Sequence, residues 1–134
     1  MRGFAAMLGL AGIVGAAART TWDGVYSDAQ AKRGEAIYAE RCATCHAPDL
    51  SGMDQAPELA GAEFLTAWDA QTLNDLFERT RISMPADKPG SLERPQVADV
   101  IAFVLQKNGF PAGQSDLATA GPDLEGIRFL AKKP

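Results

Sequence analysis

Cys42-Ala43-Thr44-Cys45-His46 is the stretch from which the rest of the chain is read. Two thiols stand three positions apart, and an imidazole follows at once. The 134 residues hold 2 Cys and 1 His, so all the thiol and imidazole chemistry lies in these five positions. A structural zinc site ordinarily takes four Cys or His ligands, often as two separated pairs, and three is the most this chain offers. A thioredoxin-like dithiol site needs alternating strands and helices around the motif, and none are evident. A disulfide across C-x-x-C closes a very small loop and gains little from loop entropy.

The spacing C-x-x-C-H is the signature of covalent c-type haem attachment. Each thiol can add across a haem vinyl group, giving two thioether bonds on one turn of backbone. The histidine beside those tethers then presents a neutral imidazole nitrogen to the iron. The expected cofactor is one haem c, bound through Cys42 and Cys45, with His46 as an iron ligand. Zinc, dithiol redox chemistry and a plain disulfide stay as the alternatives.

The N-terminus supplies an address for that chemistry. Met1-Arg2 is a short cationic start, and Gly3 to Ala18 is an uncharged stretch ending Ala16-Ala17-Ala18, which fits the small-x-small pattern before a cleavage site. It is shorter than the roughly 20 residues of a membrane span. Residues 1–18 therefore read as a signal peptide and the location as periplasmic; an uncleaved membrane anchor is the alternative. Removing the segment takes one of 13 basic residues and none of 17 acidic ones, so the balance moves from −4 to −5. An acidic surface argues against nucleic acid and anionic membranes, and suits a redox partner with a basic docking patch.

Residues 19–134 make one small domain. A chain this short buries limited apolar area, which a covalently fixed cofactor would supplement. Ser27-Asp28-Ala29-Gln30 reads as a capping box opening a helix that runs to the haem motif. Gly34 inside it costs about 1 kcal/mol against Ala, which points to close approach of another backbone, with an incidental glycine as the alternative. Ala47 to Gly61 reads as loop, and Glu63 to Trp68 as a short helix. Thr72 to Asp75 is a second capping signal, with Leu73, Leu76, Phe77 and Thr80 on one face. Ile82 to Leu92 is a Pro/Gly-rich loop. The last long helix spans Arg94 to Asn108, buries Val97, Val100, Ile101, Val104 and Leu105, and stops at Gly109. Residues 111–134 form a turn-rich C-terminal extension. With no convincing strand, the fold class is all-α.

Gly34-x-x-x-Tyr38 ahead of Cys42–His46, then Ser83-Met84-Pro85 and a final apolar helix, resemble a class I c-type cytochrome over roughly residues 27–110. The resemblance implies a cytochrome c fold, three to five helices wrapped around one haem, covering residues 19–110. It implies that the first and last helices cross near Gly34, Tyr38 and Phe103. It also implies His46 as proximal ligand, a later methionine as distal ligand, and a proline loop at Pro57–Gly61 whose carbonyl accepts the imidazole N–H. That hydrogen bond fixes the tautomer and raises ligand basicity.

Of four methionines, Met1 and Met7 leave with the signal. Met53 is on the same tethered loop as His46 and is poorly placed for the opposite haem face. Met84 follows the capped helix, in a loop stiffened by Pro85, and is the expected distal ligand. Trp68 resembles a family tryptophan that bonds a haem propionate, against simple aromatic packing. Arg79 and Arg81 are further propionate candidates or solvated charges. The apolar lining is drawn from Leu50, Leu59, Phe64, Leu65, Leu76, Phe77, Ile82, Val100 and Val104. The expected function is a periplasmic monohaem carrier passing single electrons between redox proteins, not an enzyme. The alternative is the electron-accepting subunit of a periplasmic, quinoprotein-type dehydrogenase, with the extension as a docking arm. A haem enzyme or gas sensor needs an open sixth position, which Met84 opposes.

Overall fold

A computed structural model describes residues 19–134; the signal segment expected at 1–18 lies outside the described residues. Six helical elements follow in order: α1 (Asp28–Arg41), α2 (Ala43–His46), α3 (Ala62–Trp68), α4 (Leu73–Ser83), α5 (Arg94–Lys107) and α6 (Pro122–Glu125). The second and sixth are single turns, so four helices carry the architecture and the fold is all-α. Among the described residues no helix is long and apolar enough to cross a membrane.

The helix boundaries have local causes. Ser27 Oγ accepts from Gln30 N at 3.1 Å and opens α1. Gln30 does not complete the box. Its amide is buried and exchanges two hydrogen bonds with the Leu117 backbone, at 3.2 and 2.6 Å. Thr72 and Asp75 do form the reciprocal box that opens α4. α4 runs through Ile82 and Ser83, past the point where the loop was expected to begin, and Met84 is its C-cap. Pro85 keeps the preceding residue out of the helical region, and Met84 is extended at φ −116° and ψ 154°. At the end of α5, Phe110 N donates to Leu105 O and Gly109 N to Gln106 O, with Gly109 at φ 83°. This is the Schellman arrangement.

α1 crosses α5 at Gly34. A Cβ built there would stand 1.8 Å from the Asp99 carbonyl oxygen and 3.0 Å from Phe103 Cβ. Glycine lets the two backbones touch, so the incidental reading falls. One turn on, Tyr38 packs on Phe103 with ring centroids 5.3 Å apart, and its hydroxyl donates to Ala47 O at 2.5 Å. Arg33 bridges Asp99 of α5 and Asp116 of the tail at 3.2 and 2.7 Å.

Two short strands correct the strand-free reading. β1 (Arg19–Thr20) pairs in parallel with β2 (Ile127–Arg128), Arg19 opposite Ile127 and Thr20 opposite Arg128. Two residues are too few to show a period of two, and the partners lie at opposite ends of the chain. The segment read as an extension packs along the helices. Leu117, Leu124, Ile127 and Phe129 are buried. Phe129 meets Phe110 and Phe64 at centroid distances of 5.3 and 6.0 Å, and its backbone bonds Ala70 and Gln71 at 2.8 and 2.7 Å. The tail thus straps the turn between α3 and α4.

Candidate functional site

The motif occupies the junction of α1 and α2. Cys42 N closes α1 on Tyr38 O at 2.9 Å, and Cys42 O then accepts from Cys45 N and His46 N at 3.2 and 2.9 Å, starting the next turn. One turn of backbone therefore carries both thiols and the imidazole. The thiols are free; Cys45 is exposed and Cys42 half-buried. Burial pushes the Cys42 thiol up to about 11, with Arg41 pulling the other way. His46 is buried, 7% exposed, and its Nδ1 lies 2.8 Å from the Pro57 carbonyl oxygen. A carbonyl only accepts, so Nδ1 carries the proton and Nε2 keeps its lone pair.

The loop after the motif brings Pro57 back to His46. Gly52 N donates to His46 O at 2.9 Å, and Leu59 N to Leu50 O at 2.8 Å. Gly52, at φ 81°, lies so close to Ala56–Glu58 that an added Cβ would stand 2.7–2.9 Å from their backbone. Glu58 Oε1 then caps α3 by accepting from Glu63 N and Phe64 N at 2.8 and 3.3 Å.

Cys42, Cys45, His46 and Pro57 therefore form one local unit. Met84 stands apart, half-buried at the end of α4 in a loop closed by Lys88 N to Pro85 O at 2.9 Å and Gly90 N to Met84 O at 3.3 Å. Trp68, the last residue of α3, is half-buried against the core. Of the expected lining, Leu50, Phe64, Leu76, Phe77, Val100 and Val104 are buried and Leu59 and Leu65 pack partly against them. Ile82, in the last turn of α4, is 60% exposed. Arg81 pairs with Glu78 at 2.7 Å, and Arg79 is exposed. Met53 is 45% exposed.

Two features escaped the sequence reading. Asn108 reads there as the end of a helix, yet its side chain reaches the proline loop: Nδ2 donates to Leu59 O at 2.9 Å and Oδ1 accepts from Gly61 N at 3.1 Å. An Asn-Gly pair at a helix end carries no signal for that contact. Charge segregation was available in the sequence but hidden by the net value. Every charged residue from Cys42 to Glu78 is acidic (Asp49, Asp54, Glu58, Glu63, Asp69, Asp75, Glu78), whereas Arg79, Arg81 and Lys88, with the single acid Asp87, flank Met84.

The donor set fits a covalently tethered haem. Two free thiols and an imidazole with Nε2 available share one turn, and Cys42 and Ala43 pack against the apolar core. Among the described residues no three His, Cys, Asp or Glu side chains converge to hold a metal ion, which leaves the zinc alternative without a site.

Comparison with known proteins bears on the same residues. A family model described as "Cytochrome C oxidase, cbb3-type, subunit III" matches residues 29–104. No curated protein gives a significant match. Among solved structures, the sulfane dehydrogenase SoxCD from Paracoccus pantotrophus matches with a TM-score of 0.49 and 23% identity, over 66% of this chain and 52% of that one. This chain thus spans about half the length of that one. Because the family match runs over more than half of the chain and takes in both the α1–α5 crossing and the attachment motif, the chain belongs to this c-type cytochrome family, as a class I electron-transfer cytochrome whose family cofactor is haem c.

Proposed function

We propose that the protein is a periplasmic monohaem carrier that passes single electrons between redox proteins, with Cys42 and Cys45 as thioether tethers and His46 and Met84 as axial ligands. The observation that carries this reading is the 2.8 Å contact between His46 Nδ1 and the Pro57 carbonyl. It supports an imidazole whose free Nε2 would bind iron while the carbonyl raises its basicity. Bound there, haem supplies a one-electron ferric/ferrous couple. The Met84 thioether is a soft donor that raises the potential relative to a nitrogen ligand. With His46 and Met84 both holding the iron, a haem bound here would keep no position open for a substrate, which favours a carrier over an enzyme or gas sensor. Trp68 is the proposed propionate donor. Residues 1–18, read as a signal peptide, support the periplasmic address.

The partner is a redox protein with a basic patch. The acidic run from Asp49 to Glu78 follows the attachment motif in the chain and favours such a surface.

The test is the near-infrared spectrum of the ferric mature protein. The weak sulfur-to-iron band is expected in the wild type and in Met53→Ala, and lost in Met84→Ala. A wild type without the band, or a Met84→Ala that keeps it, would overturn the ligand assignment.

A further inference from the structure

The site built on His46 is held by one hydrogen bond to a backbone carbonyl, so its strength depends on what holds that carbonyl in place. Pro57 lies in a loop closed on itself by Leu59 N to Leu50 O and tied near its start to α2 by Gly52 N to His46 O and to α1 by the Tyr38 hydroxyl to Ala47 O. These hold the first part of the loop on α1 and α2, whereas Pro57 to Gly61 form its far end. Glu58 ties the loop forward to α3, the element that follows it. The tie of that far end to α5 comes from Asn108, the C-cap of the helix. Its Nδ2 donates to Leu59 O at 2.9 Å and to Val104 O at 2.9 Å, and its Oδ1 accepts from Gly61 N at 3.1 Å. Both ends of the amide are used, so the side chain cannot rotate without breaking at least one bond.

These contacts close a circuit. α1 leads into the motif and His46; His46 bonds Pro57; Leu59 and Gly61, just downstream, bond Asn108. α5 then returns to α1 through the contact of Gly34 with Asp99 and of Tyr38 with Phe103. A cap alone would need only the Val104 bond. The two bonds to the loop serve no helix-capping purpose.

We propose that Asn108 is a positioning residue for the proximal ligand, which sets the basicity of His46 by clamping the segment that carries the Pro57 carbonyl. The inference rests on the reading of His46 as the iron ligand. A slack loop lengthens the Nδ1–H to carbonyl bond and makes the imidazole a weaker donor, so the ferric state loses more than the ferrous and the potential rises. Partners one shell beyond a ligand commonly change metal-site properties tenfold or more. Asn108 acts one further step away, so we expect a shift of up to about tenfold in the oxidised-to-reduced ratio at fixed potential, about 59 mV for one electron.

The test uses the full haem-loaded chain in four forms: wild type, Asn108→Ala, Asn108→Ser and Gly109→Ala. Serine keeps a hydroxyl for the Val104 carbonyl but is too short for Leu59 and Gly61. Gly109→Ala perturbs the same helix end at φ 83°, where a Cβ meets nothing within 4 Å, and does not touch the loop. Potentials are measured by redox titration, and exchange of the His46 Nδ1 proton by NMR. We expect both Asn108 variants to raise the potential and speed that exchange, with Gly109→Ala at the wild-type value in both. Unchanged potential and exchange in Asn108→Ala or Asn108→Ser would overturn the proposal, as would an equal shift in Gly109→Ala. Should the Asn108→Ala form not accumulate, the serine form decides alone. A wild type whose NMR spectrum shows no histidine ligation would instead overturn the ligand reading beneath it.

Discussion

Gly34→Ala tests the contact on which the fold turns. The new methyl would stand 1.8 Å from the Asp99 carbonyl oxygen, 2.4 Å from its carbon and 3.0 Å from Phe103 Cβ. Non-bonded heavy atoms rest comfortably at about 3.5–4.0 Å, so α1 and α5 must part by more than about 1 Å. The two nearest atoms are main chain, and no rotamer change relieves them. Alanine gains about 1 kcal/mol in helix propensity over glycine. Against this stands overpacking, about 1–3 kcal/mol and at the upper end here because backbone must move. Loosening of the Tyr38–Phe103 pair adds about 0.5–1.5 kcal/mol. The net expectation is a loss of about 2–3 kcal/mol, a fall in Tm on the order of 10 °C for a domain of this size. Urea and thermal unfolding of the haem-loaded mature chain, followed by circular dichroism, measure it directly. Gly109→Ala is the comparison, because it carries only left-handed backbone strain of roughly 1–2 kcal/mol with open space for its methyl. A neutral or stabilised Gly34→Ala, or one no worse than Gly109→Ala, would refute the steric account of the crossing.

Three further expectations follow from other parts of the molecule. Phe129→Ala removes a fully buried ring from between Phe64 and Phe110; it should cost about 3–5 kcal/mol and open residues 127–131 to limited proteolysis, and an unchanged digest would show that the tail is not held this way. Hydrogen bonds from Ser27, and then Arg33, which also faces Asp99, hold the Asp116 carboxyl below the usual range. A depressed folded-state value contributes stability above the unfolded carboxyl's value of about 3.9, lost as pH falls through the lower folded value. The Tm difference between wild type and Asp116→Asn should therefore be largest near neutrality and close below about pH 4; a gap that widens in acid would reverse the sign. Finally, electron transfer to a basic redox partner should slow with added salt. Asp49→Asn with Asp54→Asn should slow it at low salt more than Asp123→Asn with Glu125→Gln, and a rate indifferent to both pairs would exclude steering by the acidic run.

Features written in adjacent residues were legible in the sequence. The attachment motif is a spacing of three types of side chain within five positions, and it needs no fold to be recognised. Ser27 and the Thr72–Asp75 box are local hydrogen bonds within one turn, and the helix stop at Gly109 is a left-handed residue that glycine takes at low cost. Even Gly34 could be read, because a helix-interior glycine carries an intrinsic cost that close packing explains. From these follow the four main helices, the helix crossing and the family.

What only the tertiary structure decided depends on residues far apart in the chain. Gln30 has the identity and position for a capping box, yet its amide turns to Leu117, 87 residues away, because a buried amide gains more from two backbone partners than from one exposed cap. β1 and β2 come from opposite ends of the described chain, each too short to show a pattern, and pair only because the tail is carried back across the α3–α4 turn. α4 runs two residues beyond the point its local pattern indicates, through Ile82 and Ser83. Asn108 reads as a helix end and becomes a clamp on the proline loop because the fold brings Leu59 and Gly61 to its side chain. Local hydrogen bonds and steric limits act over a few residues and leave their mark on composition and spacing. The choice of a distant partner is made by which surfaces the packed helices bring within about 3 Å of each other, the reach of a hydrogen bond, and no single stretch of sequence records it.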